Sequence, residues 1–167
     1  SQSSGQISVA SGATLHLNGA DITAGTISNN GRVLLNSSGT STIASGASIN
    51  GAWELNGSSS VLQLAGTHSI SSLALTNGYL GGNGTLNTAT ASFGSAVLGL
   101  SGNGITENTL NVSGNASFDG TSYQTLRYGQ IVNLNGNSTW SAGNGRLSID
   151  TSYAGNSNTD PYRASAL

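Results

Sequence analysis

Six carboxylates (Asp21, Glu54, Glu107, Asp119, Asp150 and Asp160) and two histidines (His16 and His68) are the side chains of this chain best suited to acid–base chemistry near neutral pH. Cleaving a polysaccharide with such groups needs two carboxylates facing one another, or carboxylates gathered on a cation. In a repetitive chain that pairing would place two acids one repeat apart, yet no two of them stand at the interval of 18 to 20 residues that the apolar residues follow. Glu54 lies between Trp53 and Leu55 and alternates outward as a solvated charge. Asp119 precedes Gly120 and reads as a turn former. His16, between Leu15 and Leu17, and His68, beside Ile70, are also assigned outward positions. With no acid near either histidine and no Cys in the chain, no metal site is expected.

Other chemical signatures are equally sparse. No Gly-x-Ser-x-Gly turn occurs for a nucleophilic serine. The Gly81–Gly84 stretch (GGNG) lacks the Asp of a calcium-binding repeat and the Lys of a phosphate loop. No catalytic residue, metal ligand or cofactor is therefore assigned. Thr40/Thr42 and Thr88/Thr90 form Thr-x-Thr pairs without a third at the repeat interval, so no regular threonine ladder is expected. Trp53 suits a wide inward position. Tyr123 and Tyr128, which flank Leu126 and Arg127, together with Trp140, are the candidates for an exposed contact patch on which a glycan ring could stack.

The elements that must position these residues follow from one recurring phrase: an apolar–polar–apolar triplet, then a turn of small residues. Leu15/Leu17, Val33/Leu35, Trp53/Leu55 and Leu73/Leu75 open successive repeats, and Leu62/Leu64, Leu98/Leu100, Leu110/Val112, Val132/Leu134 and Leu147/Ile149 echo them. Spacing of two predicts strands, and recurrence at about 20 residues predicts a solenoid. Singly placed Ile22, Ile27, Ile43, Ile49, Ile70, Leu80, Phe93, Ile105 and Phe118 suit shorter second and third strands of each coil. One coil then reads Leu15/Leu17, Ile22, Ile27; the next Val33/Leu35, Ile43, Ile49; the next Trp53/Leu55, Leu62/Leu64, Ile70.

Asn-Gly dipeptides begin at positions 18, 30, 50, 56, 77, 83, 103, 135 and 144, and these residues enter left-handed backbone at least cost. The alternative, a run of Asn-Gly hairpins in an antiparallel β-sandwich, would need strands of matched length on both sides of each turn. The expectation is an all-β, right-handed parallel β-helix of about eight rungs over residues 1–149, with 150–167 as a tail, cap or exchanged segment.

More than half of the 167 residues are Ser, Thr, Asn or Gly, a bias that often marks disorder. Here the net charge is only -2 and the aliphatic residues keep a period of two, so an ordered stack with a narrow lumen is expected. Four scattered arginines (Arg32, Arg127, Arg146 and Arg163) cannot supply the clustered cations that nucleic acid or anionic lipid requires. No run approaches the ~20 apolar residues of a membrane helix, so membrane insertion of this segment is not expected. Absence of Cys with a Ser/Thr/Asn/Gly surface fits exported bacterial material, and Ser1 opens a polar run as in a mature chain or an excised piece.

Gly82–Leu86 (GNGTL) and Thr109–Gly120 (TLNVSGNASFDG) resemble the degenerate repeats in passenger domains of bacterial autotransporters and related large exported adhesins. Asn137–Ile149 (NSTWSAGNGRLSI) is similar to repeats of other bacterial surface β-solenoids. The resemblance covers most of residues 5 to 149. It implies a right-handed parallel β-helix, a secreted or cell-surface location, and a non-catalytic structural or adhesive role. The expected partners are further copies of the chain or another cell-surface protein, with a glycan as a further candidate. Tyr162, Arg163 and Leu167 in the tail are the candidates for self-association by strand addition. A carbohydrate-binding or polysaccharide-degrading β-helix is the rival expectation.

Overall fold

A computed structural model of the chain describes residues 1–98, 108–119, 123–126, 130–144 and 146–149. Among them the chain forms β1 (Gln6–Val9), β2 (Thr14–His16), β3 (Asp21–Asn29), β4 (Arg32–Leu35), β5 (Gly39–Ile49), β6 (Ala52–Leu64) and β7 (Thr67–Gly82). Then follow β8 (Thr85–Leu98), β9 (Asn108–Val112), β10 (Ala116–Phe118), β11 (Tyr123–Leu126), β12 (Gln130–Leu134), β13 (Ser138–Trp140) and β14 (Arg146–Ile149). Every pairing between these strands is parallel. The chain is a β-solenoid, and the antiparallel sandwich is excluded for the described residues.

Three faces wind about one lumen. On face one, Leu15, Val33, Trp53, Leu73, Ala91, Ala116 and Ser138 lie in register, at successive separations of 18, 20, 20, 18, 25 and 22 residues. The stack contains about six turns rather than eight. Two physical facts explain the smaller number. The later turns are longer than the first four, and the segment after Ile149, which lies outside the described residues, had been counted into the repeat.

The apolar residues occupy the positions that their alternation predicts. Ile22, Ile27, Ile43, Ile49, Ile70, Leu80, Phe93 and Phe118 are buried in the same core as Val33, Leu35, Trp53, Leu55, Leu62, Leu64, Leu73 and Leu75. The three coils read from the sequence are the observed ones, since Val33 sits over Leu15, Ile43 over Ile22, and Ile49 over Ile27. Burying each such side chain contributes about 1.5–3 kcal/mol, enough for a chain poor in large apolar residues to hold one lumen.

Lumen volume is conserved across turns by exchange between neighbouring columns. One face-one column narrows from Trp53 through Leu73 to Ala91 and Ala116, while the next widens from Leu55 through Leu75 to Phe93 and Phe118. Close packing demands this reciprocity, because a void or a clash is felt at the level of a methylene.

Several strands run longer than the sequence suggested. β6 pairs through 52–55 with β4 and through 60–64 with β5, so one strand crosses a corner and serves two faces. At other corners the Asn-Gly pairs do what their conformational freedom allows. Gly51 has φ +76°, and a Cβ there would collide with the Asn29 carbonyl oxygen and side chain one turn below. Only glycine fits that combination of backbone angle and close approach.

Candidate functional site

Side chains that alternate outward form three surfaces, and face one changes character along its length. Its central column runs His16, Leu34, Glu54, Ala74, Ser92, Ser117, Thr139. At the N-terminal end, Arg32 Nη1 donates to Glu54 Oε2 at 3.1 Å, Asn56 Nδ2 donates to Glu54 Oε1 at 3.1 Å, and His16 Nδ1 lies 3.3 Å from Asn36 Oδ1. Leu34, although directed outward, is buried between its register neighbours His16 and Glu54. Further along, small residues replace these groups and leave a shallow groove of about 550 Å³ lined by Ser72, Ala74, Thr90, Ser92, Ser117 and Thr139. The groove presents hydroxyls from four successive strands, and among its lining residues there is no acid, base or aromatic ring.

Face three carries two side-chain ladders. Asn111 Nδ2 donates to Asn87 Oδ1 at 2.8 Å, and Asn133 Nδ2 donates to Asn111 Oδ1 at 2.7 Å. Beside them Thr67, Thr85 and Thr109 lie in register, and Ile131 follows. This threonine ladder runs against the sequence expectation. Its members are spaced 18 and 24 residues apart, so a search at a fixed interval passes over it.

The last turn holds the aromatic feature. The ring centroids of Phe93 and Phe118 are 4.8 Å apart at 15°, and those of Phe118 and Trp140 are 4.4 Å apart at 7°. Trp140 therefore continues an inward column, Leu35–Leu55–Leu75–Phe93–Phe118, and does not stand on an outer face. It is nonetheless 46% exposed, because β13 ends that column among the described residues. Tyr123 lies on β11 in register with Arg146, on face two, so it does not join Trp140 in one platform. Tyr128 and the tail candidates Tyr162, Arg163 and Leu167 lie outside the described residues.

Acid–base groups are dispersed. Glu54 has Leu34 and Ala74 as register neighbours, and Asp21 has Thr42, so neither faces a second carboxylate across the sheet. Among the described residues no three His, Cys, Asp or Glu side chains converge on a common point. His16 is exposed as expected. His68 is a correction: it is only 3% exposed and in register with Leu86, an inward residue. The reason lies in the period of two, which puts His68 on the same side as buried Ile70. Its Nε2 lies 2.9 Å from the Ala65 carbonyl oxygen, which accepts only, so Nε2 carries the hydrogen. Nδ1 is buried with no hydrogen-bond partner. Trp53 is inward, and its Nε1 donates to the Asn50 carbonyl oxygen at 2.8 Å.

No helix among the described residues is long and apolar enough to cross a membrane. Comparison with known proteins returned no matching family model, curated protein or solved structure.

Proposed function

We propose that this chain is an extracellular, non-catalytic structural or adhesive β-solenoid, a segment of a bacterial surface adhesin of the autotransporter-passenger kind or a filament subunit. The observation that carries the reading is a continuous aliphatic and aromatic lumen enclosed by faces made of Ser, Thr, Asn and Ala, with its acids and histidines dispersed. Such an object spends its sequence on length and surface, and in a stacked-repeat protein function resides in those features and in the ends. The resemblance of Gly82–Leu86, Thr109–Gly120 and Asn137–Ile149 to exported adhesin repeats supports a secreted or cell-surface location. The partners proposed are other copies of the chain or another cell-surface protein.

The face-one groove favours a second reading, a glycan-binding module. Hydroxyls of Ser72, Thr90, Ser92, Ser117 and Thr139 at regular strand spacing offer donors and acceptors to a linear sugar chain.

Beads coated with the chain test both. Clustering of beads, or their capture on protein-coated surfaces, is the result expected of an adhesive scaffold. Capture only on a glycan array, lost in Ser92→Trp, selects the second reading. Turnover of an acidic polysaccharide with calcium present, abolished by Glu54→Ala, overturns both.

A further inference from the structure

We infer that the C-terminal end of the coil docks the first coil of a second copy of this chain, head to tail, so that all three faces continue across the junction. The inference deepens the filament-subunit reading above and rests on it.

Two ends of the stack are open in the same way. At the C-terminal end, β12, β13 and β14 each pair on one side only among the described residues, with β9, β10 and β11. At the other end, β1 and β2 pair only with β3 and β4. A strand paired on one side presents a row of free N–H and C=O groups, the template for adding another strand.

The side chains repeat the pattern. Ile131 and Trp140 are the exposed large hydrophobics among the described residues, at 47% and 46%, and both lie on end strands. The residues left partly buried at the edge of the core include Ile7 and Leu15 in the first coil, and Val132 and Leu134 in the last. Their neighbours one turn inward, Ile27, Val33, Leu110 and Val112, are fully enclosed. Each lumen end thus lacks one further layer.

What that layer must look like is set by the ladders. Asn133 donates its Nδ2 to Asn111, and no group donates to its Oδ1, so the amide ladder ends on an acceptor. Trp140 has one ring face on Phe118 and the other bare, with a free strand edge beside it. A sugar over the indole would satisfy the ring but none of the backbone groups. A parallel strand layer satisfies both, and the first coil supplies one of matching direction and cross-section.

Continuing the register places β12 over β1, with Val132 and Leu134 against Ile7 and Val9, and Asn133 Oδ1 facing the Ser8 hydroxyl as donor. It also places β13 over β2, with Trp140 above Leu17. Contacts of this head-to-tail kind are heterologous, so they propagate into a filament instead of closing as a dimer.

Sedimentation velocity and negative-stain imaging of four proteins test this: the wild type, Trp140→Lys (C-terminal end blocked), Ile7→Lys (N-terminal end blocked), and an equal mixture of the two variants. Wild type is expected to grow with concentration into single rods one coil wide. Each variant alone is expected to sediment at the monomer mass of 16.6 kDa. The mixture, which retains one usable end of each kind, is expected to stop at twice that mass. Asn133→Lys and Ser8→Lys, which leave the lumen untouched, repeat the comparison if circular dichroism shows either lumen variant unfolded.

Four results overturn the inference. The wild type stays monomeric up to about 1 mM. The blocked variants still polymerise, which means lateral association. Removal of 150–167 converts a monomer into rods, which means that the chain's own tail covers the end. Trp140 fluorescence responds to a glycan while the protein stays monomeric. A monomeric wild type whose coated beads still adhere to surfaces removes the docked ends and leaves the adhesive reading in place.

Discussion

Asn50 reaches back one turn and accepts the backbone N–H of Asn29 at 2.6 Å. The buried Asn29 side chain in turn bonds forward to the Ala52 carbonyl at 2.8 Å and accepts from the Gly31 N–H at 3.0 Å. Two asparagines thus clip one corner of three consecutive segments. Asn29→Ala removes two of these bonds and leaves their backbone partners unmet, at a cost of about 2–3 kcal/mol. Asn50→Ala loses one bond from an exposed side chain and costs about 1 kcal/mol. Urea midpoints at unchanged slope measure both, and an equal loss in the two variants contradicts the assignment.

Gly12 and Gly51 have nearly the same backbone, with φ +78° and +76°, but different surroundings. Around Gly12 a Cβ meets nothing within 4 Å, whereas at Gly51 it strikes Asn29. Gly12→Ala should therefore cost only the left-handed penalty of about 1–2 kcal/mol. Gly51→Ala should cost clearly more, because either the corner or Asn29 must move. Thermal unfolding of the two variants side by side gives the difference.

The exchange of volume between lumen columns makes a pairwise prediction. Phe93→Ala should cost about 3–5 kcal/mol through the cavity it leaves. Ala91→Phe alone overpacks the lumen and should cost about 1–3 kcal/mol. Combined, the two changes move the large ring from one column to the next, and the loss should fall below the sum of the singles by more than about 0.5 kcal/mol. Strict additivity in denaturant unfolding sinks the idea that the columns compensate.

His68 occupies a lumen position with one nitrogen unpartnered. Leu at this site matches the register neighbour Leu86 and removes the buried polar atom. His68→Leu is expected to stabilise the chain by about 1 kcal/mol, read as a raised melting temperature. A lowered one shows that the Ala65 carbonyl depends on the imidazole N–H.

Much of the fold was legible because one face of every strand is buried, which forces aliphatic side chains to recur with a period of two. Leu15, Val33, Trp53 and Leu73 declared both the strand phase and the turn length, and the structure stacks them in register. The number of turns was misread because length was divided by the early repeat, while the separation rises to 25 between Ala91 and Ala116. Outward positions were harder to read. Water tolerates any polar residue there, so nothing in the pattern of Thr67, Thr85 and Thr109 announced a ladder. His68 was misplaced by weighing its polarity above its parity with Ile70. Trp140 was rightly noted as exposed, but the cause lies in where its column stops, and a residue's position in a stack is invisible until the register is known.

Because each turn is hydrogen-bonded only to the turns directly above and below it, the molecule has no clasp holding distant parts together. Tension applied to one terminus loads a single junction at a time. The coil should unravel stepwise, each step paying out some 20 residues or about 70 Å of chain. Such a tether yields gradually under load and absorbs work over a long extension, where a globule would give way all at once.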